Sequence, residues 1–193
     1  MTLMFTNILQ RRELDPFIGG GNVGYCSQSS CHIVYAGLKL PNGLVLGRDG
    51  LIYVPSTMDG TINVFSLSED HTFVKVNEVK VPLPIDNLSV DKKGDIYAAA
   101  IPKIYIWSES AKAPFDVHPP STVFRIRKSG KENEGEAKST ESKAEYVVEK
   151  VIEDDGTVLP GATTAVHDAE TGRIILSGVM SPYITICEPI LHD

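Results

Sequence analysis

The stretch "LPIDNLSVDKKGDIYAAAIP", Leu83 to Pro102, decides the fold. It places Ile85, Leu88 and Val90 in a short strand-like run, breaks at "DKKGD", Asp91 to Asp95, and resumes as the apolar "IYAAA" of Ile96 to Ala100. Strand, Asp/Gly turn and strand make the signature of an antiparallel hairpin. The unit returns as "LVLGRDGLIYVPS", Leu44 to Ser56, and as "TAVHDAETGRIILSG", Thr164 to Gly178. Repetition of such a unit at roughly 40 to 50 residues is what propeller blades look like in sequence.

Outward from that stretch, strand signals dominate and helix signals are nearly absent. "CHIVYAG", "TINVFSL", "TFVKVNEVKV", "KIYIW", "STVFRIR", "EYVVEKVIE" and "YITICEP" are short runs rich in β-branched or aromatic residues, separated by Gly, Asp, Asn and Pro. The cadence predicts an all-β chain, as a sandwich, barrel or propeller. The repeated unit favours an incomplete β-propeller of about three to four blades, a single domain over residues 1–193. One segment breaks the pattern. "KSGKENEGEAKSTESKAE", Lys128 to Glu145, has no large hydrophobe and mixes both charges, so it reads as a flexible insertion between two strands of a blade.

A chain of 193 residues with 42% hydrophobic and 22% charged residues is long and apolar enough to bury a core. Its net charge of -7 and its lack of a basic cluster interleaved with aromatics argue against nucleic-acid binding. "MTLMFTNIL" lacks the basic leader, continuous apolar centre and cleavage site of a signal peptide, and no stretch reads as a transmembrane helix. The three cysteines are an odd number. Cys26 and Cys31 bracket "CSQSSC" and read equally as a disulfide or as two reduced thiols, while Cys187 reads as a buried small hydrophobe.

Asp86 and Asn87 are the anomaly of the opening stretch, because a strand start is normally apolar. The innermost strand of each propeller blade lines the central channel, so polar residues at several strand starts converge there. "LPNGLVL" sets Asn42 before a strand as "PIDNLSV" sets Asp86 and Asn87. Two amides and a carboxylate form a hard oxygen set that suits Ca²⁺ better than Zn²⁺. Spacing alone slightly favours the blander reading, in which each Asn or Asp caps its own turn. "NLS" at Asn87 matches the glycosylation pattern by chance, and "GGGN", Gly19 to Asn22, reads as a flexible turn rather than a phosphate loop.

"LPNGLVLGRDGLIYVPSTMDGTINVFSL", "IDNLSVDKKGDIYAAAIP" and "EKVIEDDGTVLPGATTAVHDAETGRIILSGVMSPYITICEP" together resemble the second half of the serum paraoxonase/arylesterase family. The resemblance implies a six-bladed, calcium-dependent propeller that hydrolyses lactones and aryl esters, with a small-molecule substrate. It places Asn42, Asp86 and Asn87 on catalytic-calcium ligands. "FTNILQRR" resembles the family's Thr-Asn-Asp-His segment, which adds Asn7 as a further ligand and sets Ile8 and Leu9 where an aspartate and a histidine belong. "DDGTVLPGAT" departs from the family at Asp155, and Ile101 stands where animal members have a histidine. Cys187 matches a cysteine that pairs with an upstream partner, which implies an unpaired thiol here.

The acidic ligand pair and histidine dyad of the family lie upstream of its matching half. None of His32, His71, His118, His167 and His192 falls on that dyad, and each reads as a surface or strand histidine. The implied hydrolysis is therefore expected to be weak or absent in this chain. The alternatives are a non-catalytic half-propeller that binds a partner or self-associates through open blade edges, and a truncated gene product.

Overall fold

The computed structural model describes residues 19–129 and 145–190, together with the backbone of 3–8. These residues form four antiparallel sheets, each a meander of strands consecutive in sequence. The first holds β1 (Leu3–Ile8), β2 (Gly21–Cys26) and β3 (Cys31–Leu38). The second holds β4 (Val45–Leu46), β5 (Ile52–Ser56), β6 (Thr61–Leu67) and β7 (Phe73–Lys80). In the third are β8 (Ile85–Val90), β9 (Ile96–Ala100), β10 (Ser121–Lys128) and β11 (Tyr146–Asp154). The fourth contains β12 (Thr164–His167), β13 (Ile174–Ser177) and β14 (Thr185–Cys187).

The three repeated sequence units are the opening hairpins β4–β5, β8–β9 and β12–β13. Each closes through a backbone bond across its turn: Gly47 N to Leu51 O at 2.8 Å, Asp91 N to Asp95 O at 3.0 Å, and Asp168 N to Arg173 O at 2.8 Å. Each turn also needs one left-handed residue, supplied by Gly50, Gly94 and Gly172 at φ 77, 92 and 76°. The repeat is thus a repeat of turn chemistry.

Alternation of apolar residues along the strands gives each sheet buried faces, and neighbouring sheets close over them. Val23, Tyr25, Val34 and Leu38 of the first sheet pack against Ile52, Val54, Phe65 and Phe73 of the second. Ile62, Val64 and Val79 of the second meet Leu88, Ala98 and Phe124 of the third. Tyr97 and Val123 of the third meet Ala165 and Leu176 of the fourth. Four sheets therefore stack in sequence order, with one apolar seam at each junction.

Three sequence expectations change. "KIYIW" reads as strand, but Ile104–Ser110 is a helix, α1. Both sides of β9 are already paired, to β8 and β10, so the following residues have no sheet position and satisfy themselves locally, Trp107 N bonding Lys103 O at 3.1 Å. "GGGN" is only partly a turn: Gly21 and Asn22 open β2, where β1 and β3 supply pairing on both sides. The charged insertion starts later than Lys128, which ends β10 opposite Tyr146; Ser129 N then bonds Glu145 O at 2.9 Å and closes the strand pair. The rest of that expectation, residues 130–144, lies outside the described residues.

Cys26 and Cys31, left open by sequence, face each other in the β2–β3 register and are joined as a disulfide, with Cα atoms 4.1 Å apart. Cys187 is a free, half-buried thiol whose pKa burial raises. No helix among the described residues is long and apolar enough to cross a membrane.

Candidate functional site

Asp86 and Asn87 sit where the β8–β9 ladder breaks. Ile85 pairs with Ala100 and Leu88 with Ala98, so two residues of β8 share the space opposite Ala99. Such a bulge releases backbone groups from the ladder and re-aims side chains. Asn87 N accordingly leaves its own sheet and donates to Thr163 O, ahead of β12, at 3.1 Å; its Nδ2 donates to the same oxygen at 3.0 Å.

Asn42 arrives from the second sheet. Its N–H bonds Pro55 O at 3.2 Å, and the adjacent Pro41 bridges Ser56, which fixes the residue just ahead of β4. From there Asn42 Nδ2 donates to Asp86 Oδ1 at 2.5 Å, and Asn87 Nδ2 donates to that oxygen at 2.9 Å. Three residues that the sequence separates by up to 45 positions, Asn42 to Asn87, thus meet around one carboxylate. The reading in which each residue caps its own turn holds only for Asn42, whose Oδ1 accepts from Gly43 N at 3.0 Å.

Asp86 is 7% exposed. Burial raises its carboxyl to about 6, and the Asn42 amide acts against that rise. A buried carboxylate answered only by neutral amides is an electron-rich place in want of positive charge. Gly43 adds a steric clue. At φ 34°, a Cβ built on it would lie 2.9 Å from Asn87 Oδ1, so the backbone approaches the amide as closely as only glycine permits. The donor set, a carboxylate and two amides whose oxygens turn inward on rotation about the terminal torsion, fits a hard cation such as Ca²⁺.

Asn7 lies in β1, opposite Asn22, and only its backbone is described. Ile8 pairs with Gly21, and Leu9 lies outside the described residues. Among the described residues no three His, Cys, Asp or Glu side chains cluster as a metal site, in line with Asp86 being the one acid in its group.

At the other end of β8, Asp91 makes a contact that sequence reasoning did not find. Its Oδ1 accepts from Lys93 N at 2.8 Å and Asp95 N at 3.0 Å, while Oδ2 meets His167 Nδ1 at 2.8 Å. The His167 ring stacks on Tyr97, centroids 4.6 Å apart. The signal was in the repeat: His167 occupies in the β12 unit the place that Val90 holds in the β8 unit, one residue before the turn aspartate. His32 and His71 flank Tyr25, His118 bonds Phe115 O, and His192 lies outside the described residues. No described histidine joins the Asp86 network.

Stacked four-stranded and three-stranded meanders with polar groups meeting at the strand starts define the propeller class of β-proteins. Within that class the chain belongs to the arylesterase family, whose model matches residues 2–188. A search of the curated proteins gives no match. Similar solved structures include a luciferin-regenerating enzyme (11% identity, TM-score 0.54) and a calcium-binding regucalcin from Agrobacterium tumefaciens (12%, TM-score 0.53). A protein assigned as a gluconolactonase is also similar (15%, TM-score 0.55). They match 92%, 94% and 96% of this chain, which spans 50%, 50% and 54% of theirs.

Proposed function

We propose that this chain is a partial propeller, one domain of three to four blades, from a calcium-dependent hydrolase of lactones or aryl esters. The observation behind the reading is the convergence of Asn42 and Asn87 on the buried Asp86 carboxylate, which has no cationic partner among the described residues. Asn42, Asp86 and Asn87 would hold the metal, with Asn7 as a fourth ligand from β1. Bound calcium supplies a Lewis acid for an ester or lactone carbonyl. The chain's own contribution is positioning: the bulge sets two ligands, the Pro41–Ser56 bridge sets the third, and Gly43 leaves room for them.

A positioned base is typically worth about 10²–10⁴ in rate, and none of the described histidines stands beside these ligands. Hydrolysis by this chain alone is therefore expected to be weak. The test is phenyl acetate and a γ-lactone with excess calcium, against a chelated control and the Asn42→Ala and Asp86→Ala variants. Slow calcium-dependent turnover lost in both variants supports the reading. Robust turnover in both variants would place the chemistry elsewhere.

One observation favours a second role, self-association. On the face of the fourth sheet turned away from the third, Val166 pairs with Ile175 and Ile175 with Ile186, and they are 50%, 39% and 58% exposed. A cross-strand apolar ladder left open to water is an adhesive surface. Sedimentation of the wild type against Ile175→Glu tests it: equal molecular masses for the two would remove this role.

A further inference from the structure

A second site lies at the opposite end of the sheets. A cavity of about 350 Å³ opens between the second and third sheets beside the β4–β5 and β8–β9 turns. That volume falls within the range of small-molecule sites, about 300–1,000 Å³. It adjoins the turn end of β8, whose Asp91 lies roughly 17 Å along the strand from Asp86 at ~3.3 Å per residue, so it is separate from the calcium cluster.

The cavity is a charged mouth on an apolar floor. Ile96 and Ile126, 3% and 1% exposed, form the floor, with the Tyr146 ring at the side. Around the mouth stand three cations, Arg48, Lys93 and Lys128, and two anions, Asp49 and Asp95. Asp49 is closely engaged, and Asp95 makes one long ion pair. Asp49 pairs with Lys128 at 2.5 Å and accepts Tyr53 Oη at 2.7 Å, and Asp95 faces Arg125 at 3.9 Å from outside the cavity. Arg48 and Lys93 have no ion-pair partner among the described residues, so the described lining carries three positive side chains against two negative ones.

Arg48 is also held in place. Its Nε donates to Asp91 O at 3.4 Å, and its stem lies beside Gly94, where a Cβ would meet it at 3.5 Å. That leaves the outer guanidinium nitrogens for a planar oxyanion. The tyrosines are not competing donors. Tyr53 gives its proton to Asp49, so at 3.2 Å its oxygen accepts from Tyr146, whose proton is then occupied too.

We propose that this cavity binds a small organic monoanion, a carboxylate with an aromatic or short apolar body, its head on Arg48 and Lys93 and its body over Ile96, Ile126 and the Tyr146 ring. The proposal is independent of the calcium reading. The test is titration of the ¹⁵N-labelled full chain with benzoate, benzyl alcohol and inorganic phosphate, followed by amide shifts. Benzoate is expected to give saturable shifts at Gly47 to Leu51 and Gly94 to Ile96, with affinity falling at least tenfold in Arg48→Gln/Lys93→Gln. Benzyl alcohol and phosphate are expected to bind at least tenfold more weakly. Both substituted side chains are exposed, and a dispersed spectrum of the variant confirms that its fold is intact. Equal response to benzyl alcohol, tighter binding of phosphate, an unchanged affinity in the variant, or benzoate shifts confined to Asn42–Gly43 and Asp86–Asn87 would each overturn it.

Discussion

The two ends of β8 each bury an aspartate, and they do so in opposite ways. Asp91, 4% exposed, accepts two backbone N–H groups on one oxygen and an imidazole on the other. Asp86, 7% exposed, collects two amide donors on one oxygen, and no bond reaches its other oxygen among the described residues. The first is a finished hydrogen-bond network that ties the third sheet to the fourth. The second retains unused acceptor capacity in a place where charge is costly. Burial is nearly the same for the two acids; the extent of their hydrogen bonding separates them.

That contrast breaks most visibly by truncating each carboxylate in turn. Asp91→Ala strands two turn N–H groups and the partly buried His167, and is expected to cost about 2–4 kcal/mol of unfolding free energy by urea titration. Asp86→Asn in the chelated chain at pH 8 is expected to be neutral or stabilising. If the two substitutions destabilise equally, the distinction between them is lost.

The pH dependence sharpens the same point. The folded Asp86 carboxyl, at about 6, lies above the ordinary value of about 3.9, so the folded chain retains a proton that the unfolded chain releases. Stability from this group is present below pH ~4 and is lost as pH rises through ~6, on the order of 2–3 kcal/mol in chelator. Denaturation midpoints of wild type and Asp86→Asn across that window check it, the variant lacking the decline. Calcium added above pH 6 is expected to restore the wild type alone.

Gly43→Ala probes the proposed calcium site. Strain at φ 34° and the contact with Asn87 predict a loss of about 1–2 kcal/mol together with a weaker calcium response by calorimetry. A loss of stability with full calcium binding would separate Gly43 from the site. The smallest effect belongs to the surface: Ile175→Glu is expected to change stability by no more than about 0.5 kcal/mol while lowering self-association.

What the sequence determined by itself was local. Strand alternation, the Asp/Gly turns and their recurrence are properties of neighbouring residues, and they were enough to predict an all-β chain of repeated hairpins and to single out Asn42, Asp86 and Asn87 as polar residues at strand starts. Tertiary structure decided everything that depends on who sits beside whom. The helix at Ile104–Ser110 lies in the connection between β9 and β10, which no propensity in "KIYIW" reveals. The β8 bulge, the bond from Asn42 to Asp86, the His167–Asp91 contact and the Arg48–Lys93 cavity all join residues from different sheets or shift a register. Their energies come from burial and pairing that arise only once the sheets stack, so a single strand read in isolation carries no trace of them.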